Sequence, residues 1–410
     1  MNKLKEGVQR ILDKLKVREY KEEQQTIHDM EAYKEKVLKE RKITYLRLIV
    51  TVAIVVIGTL LIKYFVDHHK YSEYVVVETS KKVDSGNTQY LDMQGKLLRY
   101  SGDGASLSSA ADTTIWNDSF QMSSPTIDTF DKTIVIYDQD GTQIAIYDEK
   151  GKLGAFQTQY PILKASVCEN GSVAVLLDNG ENTLMNYYSA SGSLIASSST
   201  NMRNPGYPAD LAVSEDGMYV AVTYFVPDGD TVSSYLAFYN FGEEGKNKED
   251  NLVNGFRYEG VLIPKVEYLD EQTLIAYRED GFTIYKGKTK PEEVETVLFE
   301  DEIVSSFCDG ESIGFVFSNR SGAHPFRMEV YKTSGSLQME TEFDLIYDEI
   351  KISGSQIIMN NSSEISIFNK NGIEKFSGNI EEGNINEVVK TGMNRYLVAY
   401  NGGVITIRLE

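Results

Sequence analysis

The sequence has few of the residues from which metal sites and disulfide frameworks are built. It contains two cysteines, Cys168 and Cys308, four histidines and one tryptophan in 410 residues. Two cysteines cannot form a disulfide framework or a multi-cysteine zinc site. His68 and His69 follow an apolar run directly, which leaves only two other histidines for a catalytic or metal centre. We therefore expect no metal and no cofactor.

Basic residues are scarce as well, since 41 lysines and arginines stand against 61 aspartates and glutamates, for a formal net charge of −20. Most of this imbalance lies in the long C-terminal part, because residues 1–47 carry an excess of basic side chains. Phosphate binding needs clustered lysine and arginine, so nucleic acid is excluded as a partner of the main domain.

One long apolar run occurs near the N-terminus. From Leu48 to Ile62 the chain has no charged residue, and Arg47 and Lys63 flank this stretch. About 20 helical residues span a bilayer core, so residues 44–66 predict a transmembrane helix. A cleaved signal peptide is less favoured, because a long segment precedes the run and no small-residue cleavage motif follows it. The basic flank before the run predicts a cytoplasmic N-terminus in the cell membrane and an extracytoplasmic C-terminal domain.

Residues 1–43 predict a short, charged helical arm in the cytoplasm. Its first turns have the spacing of a basic amphipathic helix, with apolar side chains at Leu4, Val8, Ile11, Leu12 and Leu15. A more charged helical stretch follows from Glu19 to Arg41. Such an arm could contact anionic lipid or a cytosolic partner, and an anchor that pairs with nothing is the alternative.

The rest of the chain, from Glu73 to Glu410, is divided by turn dipeptides such as Asp140-Gly141 and Asn179-Gly180. Between the turns, short apolar strands begin at Leu97, Ile134, Val173, Tyr219, Leu274, Ile313, Ile357 and Tyr396, at intervals of 37, 39, 46, 55, 39, 44 and 39 residues. An aromatic residue closes the next strand at Tyr147, Tyr188, Tyr239, Tyr285, Tyr331 and Phe368. Repeats of about 40 to 50 residues with four short strands predict propeller blades.

We therefore predict an all-β fold, an eight-bladed β-propeller over residues 73–410. The last unit offers only three strands, whereas Tyr74–Thr79 is a strand with no blade of its own. This N-terminal strand is expected to close the last blade, which leaves residues 67–72 as a tether. Seven blades are the alternative, because the first unit lacks the aromatic marker, and an elongated β-solenoid is less favoured.

Residues that suggest chemistry are few. No nucleophile elbow, HExxH, P-loop or dinucleotide fingerprint is present, so we predict a non-enzymatic protein. Asp138, Asp140 and Glu149 have the spacing of calcium-loop ligands, but Gln143 replaces the glycine that such a loop requires. We predict that the acidic run from 291 to 302 is a solvated strand edge and that His324 is a surface residue.

Three further features bear on function. Cys168 and Cys308 fall at matching places in the third and sixth units, so we expect them to be far apart and unpaired. Trp116 is the single tryptophan, which excludes the tryptophan-rich repeats expected of quinone-cofactor propellers. The fourth unit has the longest excursions, near 226–234 and 242–254, and such loops indicate either a binding face or longer solvent loops.

Five short segments carry a resemblance to a known family: Thr114-Ile-Trp-Asn117, Gly206-Tyr-Pro208, Ala237-Phe-Tyr-Asn-Phe-Gly242, Val266-Glu-Tyr-Leu269 and Lys351-Ile-Ser-Gly354. Together with the charged arm and the single apolar helix, they resemble a family of single-pass propeller proteins from clostridia-like Gram-positive bacteria, defined by a domain of unknown function. The resemblance implies a topology and an envelope setting, and it supplies no catalytic residue.

From these observations we predict a membrane-anchored protein-binding or scaffolding module of the cell envelope, with envelope proteins as partners. The alternatives are a receptor for a small ligand or glycan, or a hydrolase, each using the central channel of the propeller. Opposed carboxylates in the channel would favour the hydrolase.

Overall fold

The computed structural model describes residues 2–80, 84–200, 205–288, 290–320 and 322–410. It divides into two compact units, residues 1–69 and 70–410. The first unit is one continuous helix, α1 (Asn2–His68). The two helical stretches and the membrane segment predicted from the sequence thus form a single element. No proline occurs in this region, so every turn of the helix retains its backbone hydrogen bonds.

The C-terminal part of α1, Ala32–His68, is long and apolar enough to cross a membrane, judged by length and composition. Its large apolar side chains are exposed, among them Ile54, Leu60 and Phe65. A helix that is apolar on all sides over this length has the composition of a membrane span.

The second unit is an eight-bladed β-propeller of eight antiparallel four-stranded sheets, as the sequence predicted. The alternative of seven blades is wrong. The first strand, β1 (Tyr74–Ser80), belongs to the last blade. Blades 1 to 4 contain β2 (Gln89–Asp92), β3 (Leu97–Ser101), β4 (Gly104–Ser108) and β5 (Thr114–Ser119); β6 (Pro125–Phe130), β7 (Thr133–Asp138), β8 (Gln143–Asp148) and β9 (Gly151–Gln157); β10 (Ile162–Val167), β11 (Val173–Asp178), β12 (Thr183–Tyr188) and β13 (Leu194–Thr200); β14 (Tyr207–Val213), β15 (Tyr219–Asp228), β16 (Thr231–Asn240) and β17 (Leu252–Tyr258).

Blades 5 to 8 repeat the same arrangement. They contain β18 (Lys265–Tyr268), β19 (Thr273–Arg278), β20 (Gly281–Lys286) and β21 (Glu292–Leu298); β22 (Ile303–Cys308), β23 (Ser312–Ser318), β24 (Phe326–Lys332) and β25 (Leu337–Phe343); β26 (Glu349–Ser353), β27 (Gln356–Asn360), β28 (Glu364–Asn369) and β29 (Glu374–Asn379); β30 (Ile385–Lys390), β31 (Arg395–Tyr400) and β32 (Gly403–Leu409). The eight apolar strands predicted from the sequence are the second strands of the blades.

The ring is closed by the N-terminal strand, which confirms the prediction. β1 pairs antiparallel with β32, and its register runs from Tyr74 opposite Leu409 to Ser80 opposite Val404. The chain just before β1 is fixed as well, because the Tyr71 N–H donates to the Lys375 carbonyl at 2.7 Å and the Ser72 N–H donates to the Glu410 carbonyl at 3.0 Å. The two ends of the unit are therefore held together on the last blades.

A β-bulge between the third and fourth strands explains the aromatic marker. Six blades have this bulge beside the marker aromatic, for example between Ile146 and Tyr147. Blade 1 has the same bulge, with Ser108 at the position of the marker aromatic. Bulges interrupt regular pairing at the outer edge, so each bulged outermost strand is a poor template for another chain.

The seam between blades 8 and 1 contains a charged residue, Arg99, at a position that is apolar in the other seven blades. Arg99 points into this seam, its side chain is only 8% exposed, and it pairs with Asp84 at 2.9 Å and Asp112 at 2.6 Å. It also donates to Ser108 at 2.8 Å. In the other seven blades the equivalent residue is apolar and buried: Ile136, Val175, Val222, Ala276, Phe315, Met359 and Val398.

We predict that Arg99→Ala lowers the free energy of unfolding by about 3 kcal/mol, because Asp112 then remains buried without its cation. Lys132→Ala is the control, since its pair with Glu149 spans 3.9 Å and is largely solvated. Urea titration of the detergent-solubilised protein measures both effects. A loss below about 1 kcal/mol for the arginine variant would contradict a structural role for the pair.

Candidate functional site

The propeller has two faces that differ in the turns they present. One face contains the turns between the first and second strands and between the third and fourth strands, and we call it the lysine face. The other contains the turns between the second and third strands and the connections from blade to blade, and we call it the acidic face. Strand order within each sheet fixes this assignment. The chain enters the propeller at Tyr71 to Glu73, on the lysine face.

The first strands surround the central channel, and one position of these strands is polar in every blade. We call these eight residues the channel ring: Gln89, Thr126, Lys164, Asp210, Lys265, Ser305, Glu349 and Glu387. They lie in the half of the strands nearer the acidic face. In four blades a bulge immediately precedes the ring residue, so local backbone irregularity sets its register.

The channel narrows toward the lysine face. Phe130, at the end of β6, packs against the core between blades 2 and 3 and also against the core between blades 4 and 5. Ser353, at the end of β26, donates to Asp92 of blade 1 at 3.0 Å, past the intervening blade 8. The channel ring is therefore approached from the acidic face.

The channel charges are largely paired with one another. Lys164 of blade 3 pairs with Asp210 of blade 4, whose other oxygen accepts the Val266 N–H at 2.9 Å. On the opposite side of the channel, Lys351 of blade 7 pairs with Glu387 of blade 8. These ion pairs join neighbouring blades, so their first role is to hold the channel wall together.

Two deeper carboxyl groups are shifted in opposite directions. Burial raises the pKa of Asp128 to about 6, although Val167 donates its N–H to this carboxylate at 2.9 Å. Burial would also raise the pKa of Glu267, but Lys265 at 2.8 Å and hydrogen bonds from Cys308 and Tyr277 hold it below its ordinary value. The negative charge of Glu267 adds to the shift of Asp128, so the two groups interact across the channel.

The raised pKa of Asp128 makes stability depend on pH. Between about pH 4 and pH 6 the folded protein binds a proton that the unfolded chain has released, so the free energy of unfolding falls as pH rises through this window. We predict that Asp128→Asn, which keeps the acceptor for Val167, raises the free energy of unfolding at pH 7 by about 1–3 kcal/mol.

At pH 4 this gain should disappear, because the native aspartic acid is then uncharged too. Asp140→Asn, in an exposed turn, is the control and should change stability at neither pH. Urea titrations at pH 4 and pH 7 make the comparison. A gain of equal size at both pH values would contradict the assignment.

The calcium-like spacing does not form a site. Asp138 and Asp140 lie at the turn that precedes β8, and Asp138 accepts the Ser124 N–H at 2.7 Å. Glu149 follows β8 on the lysine face, where it pairs with Lys96 at 2.5 Å. The length of a six-residue strand separates these carboxylates. Among the described residues, no three His, Cys, Asp or Glu side chains are placed to hold a metal.

Both cysteines are free, as predicted, but their matching placement was wrong by one residue. Cys308 is the last residue of β22 and pairs with Ile313, whereas in blade 3 the equivalent position is Val167 and Cys168 follows it. The side chains therefore point in different directions. Cys168 is fully buried between blades 3 and 4, and Cys308 donates to Glu267 at 2.9 Å in the channel wall.

The two excursions of blade 4 lie on opposite faces, so they do not form one binding surface. The first extends β15 and β16 to ten residues each, and their hairpin projects from the acidic face. The second forms two short 3-10 turns, Gly245–Asn247 and Glu249–Asn251, on the lysine face.

The acidic face carries an unusual set of charges. Among the described residues its turns hold fifteen carboxylates, Asp84, Asp103, Asp140, Glu181, Asp230, Glu259, Glu279, Asp280, Glu300, Asp301, Glu302, Asp344, Asp348, Glu381 and Glu382, and one base, Arg320. The sequence of these turns also contains Lys81, Lys82 and Arg203, which lie outside the described residues. The lysine face intersperses its carboxylates with Lys96, Lys132, Lys150, Lys246, Lys248, Lys288, Lys290 and Lys370.

Large apolar side chains are exposed at the same face. The most exposed is Ile346, at 74%, in the connection from blade 6 to blade 7. Leu298 and Val304, on either side of the connection from blade 5 to blade 6, are 60% and 49% exposed. Sequence reasoning missed this surface. The signal was available in the sequence, since alternate turns of a four-stranded blade fall on the same face.

His324 lies in the turn between β23 and β24 on this face, consistent with a surface residue. Its ring nitrogen is 2.8 Å from an Asp344 oxygen, and this contact raises the pKa of the imidazole. The acidic run from 291 to 302 also reaches this face, where Asp301 pairs with Arg327 at 2.6 Å.

A family model for DUF5711, a family of unknown function, matches residues 67–409, which is the whole propeller. The chain belongs to this family. No curated protein matches the DUF5711 chain. The family description supplies no activity.

Solved structures similar to this DUF5711 protein show the fold alone. The computationally designed Ika8 protein is 10% identical, with 83% of this chain and 100% of that chain covered and a TM-score of 0.51. Sqt1 of Chaetomium thermophilum, bound to the N-terminus of ribosomal protein L10, is 11% identical, with coverage of 82% and 100% and a TM-score of 0.50. BamB from Moraxella catarrhalis is 14% identical, with coverage of 82% and 100% and a TM-score of 0.49.

Proposed function

We propose that this DUF5711 protein is a non-enzymatic, membrane-anchored module that binds a protein partner at the cell envelope. The observation that carries the proposal is the difference between the two faces of the propeller. Among the described residues, the turns of the acidic face hold fifteen carboxylates and one arginine, Arg320, and Leu298, Val304 and Ile346 are exposed there. Apolar side chains exposed within a charged surround are typical of protein-interaction surfaces.

The channel supports binding over hydrolysis. A hydrolase needs an acid and a base that are free to exchange protons with a substrate. Asp128 and Glu267 interact across the channel, but Asp128 accepts the Val167 N–H and Glu267 is held by Lys265, Cys308 and Tyr277. Asp210 and Glu387 pair with lysines of neighbouring blades. A small polar ligand at the channel ring is the second candidate, favoured by a channel that is polar in every blade and narrow at one end.

The Sqt1 structure shows that a propeller of this architecture can hold a segment of another protein, since it is bound to the N-terminus of ribosomal protein L10. At 11% identity this likeness supports the kind of function and leaves the partner open. A protein partner in the envelope also agrees with a helix, Ala32–His68, whose length and composition suit a membrane anchor.

We expect affinity purification of the full-length protein from detergent-solubilised native membranes to recover stoichiometric partners, identified by mass spectrometry. A version without residues 1–42 should retain them, because the proposal assigns binding to the propeller. Partners lost on this truncation would move the binding function to the cytoplasmic arm. Recovery of nothing stoichiometric by either form would favour the small-ligand alternative.

The proposed topology has its own test. In intact cells, an added protease should reach a cleavage site inserted after Gly229, in an exposed turn of the propeller, and should spare a site placed at the N-terminus. Membrane disruption should expose both sites. Release of the propeller into the medium without protease would instead indicate a cleaved signal sequence.

A further inference from the structure

The densest part of the acidic face lies around blade 6. Two connections lie here, from blade 5 to blade 6 and from blade 6 to blade 7. The hydroxyl of Tyr347, in the second connection, is 2.5 Å from the hydroxyl of Ser305, in the strand that follows the first. We define the blade 6 patch as five exposed residues in or beside these connections: Leu298, Glu300, Val304, Ile346 and Asp348.

The apolar members of the patch are not needed for the core. Each connection has two adjacent apolar residues that point in opposite directions. Phe299 packs into the core between blades 5 and 6, and Leu345 packs into the core between blades 6 and 7. Their neighbours Leu298 and Ile346 point to solvent. Burial of Phe299 and Leu345 already fixes the two connections. The exposure of Leu298 and Ile346 is therefore not imposed by folding.

The acidic members of the patch are also available. Local bases pair with other carboxylates, since Arg327 pairs with Asp301, Arg320 approaches Glu302 and His324 contacts Asp344. Glu300 and Asp348 have no ion-pair partner among the described residues. Unpaired like charges on one surface repel one another, and a cationic ligand relieves that repulsion.

We infer that the acidic face binds a cationic segment of its protein partner, in which basic side chains alternate with apolar ones, and that the blade 6 patch is the centre of this contact. The inference rests on the proposed function and deepens it. Charge complementarity selects a basic partner, and Leu298, Val304 and Ile346 select one with apolar side chains among its bases.

The test compares two double variants of the full-length protein in nonionic detergent. Glu300→Lys with Asp348→Lys alters the patch. Glu169→Lys with Glu311→Lys makes the same change in net charge at two exposed positions of the lysine face. The probe is a fluorescein-labelled peptide that alternates lysine with leucine, and its binding is followed by anisotropy at two salt concentrations.

We expect the patch variant to bind the probe at least tenfold more weakly than the native protein, and the lysine-face variant to remain within about twofold. Ile346→Ser should weaken binding several-fold without changing its salt dependence, because it removes only apolar contact. An equal loss in both double variants would show attraction to net charge alone and would overturn the inference, as would the absence of probe binding to the native protein.

Affinity purification separates failure of the inference from failure of the proposed function. If native partners co-purify with the patch variant at native levels, the partner surface lies elsewhere and the inference is wrong, while the proposed function stands. If no partner co-purifies with the native protein, the proposed function itself fails.

Discussion

The pairing of β1 with β32 is the interaction on which the propeller depends. A four-stranded blade has a free edge, and a ring of blades is stable only when the first and last blades meet. Here the last blade has three strands from the C-terminal end of the chain and one from the N-terminal end, six paired positions in all. This pairing joins the two ends of the propeller chain in one blade and completes the ring that surrounds the channel.

Closure has a local consequence at the seam between blades 8 and 1. The apolar core of this seam is small, with Leu97 packed against Val389, Leu397, Ala399 and Val404. Charge takes the place of further apolar contact, because Arg99 is held between Asp84 and Asp112. Asp84 belongs to the connection that follows β1, so this ion pair ties the closing strand to the blade beside it. A buried pair of this kind adds little net stability over apolar packing, although loss of one partner is costly because the other charge stays buried.

The sequence predicted the architecture well because its signals are local. Second strands are buried on both sides, so they read as short apolar runs, and all eight were placed correctly. The marker aromatics recur because each stands beside a bulge in the same place. The sequence analysis did not predict the exact register of the innermost strands. Cys168 and Cys308 differ by one position, and the channel ring follows bulges at Lys164 and Asp210 that no local pattern reveals.

The candidate surface was harder to predict, because it is assembled from turns that are distant in sequence. Glu300 and Asp348 belong to different blade connections, and only the alternation of turns between two faces places them together. The ion pairs of Arg99 were not predictable from the sequence either. A single arginine in an apolar strand gives no sequence-level warning that Asp84 and Asp112 will surround it, since the three residues meet through the ring closure.

The closing strand also sets an order of events during synthesis. β1 is made before any other strand, yet its partner β32 is the last to leave the ribosome, more than 300 residues later. At about 5–20 residues per second, the wait is on the order of tens of seconds. Throughout that time Val75, Val76 and Val77 belong to an unpaired apolar edge. The nascent chain therefore has to keep this edge from other strands until its own C-terminus arrives.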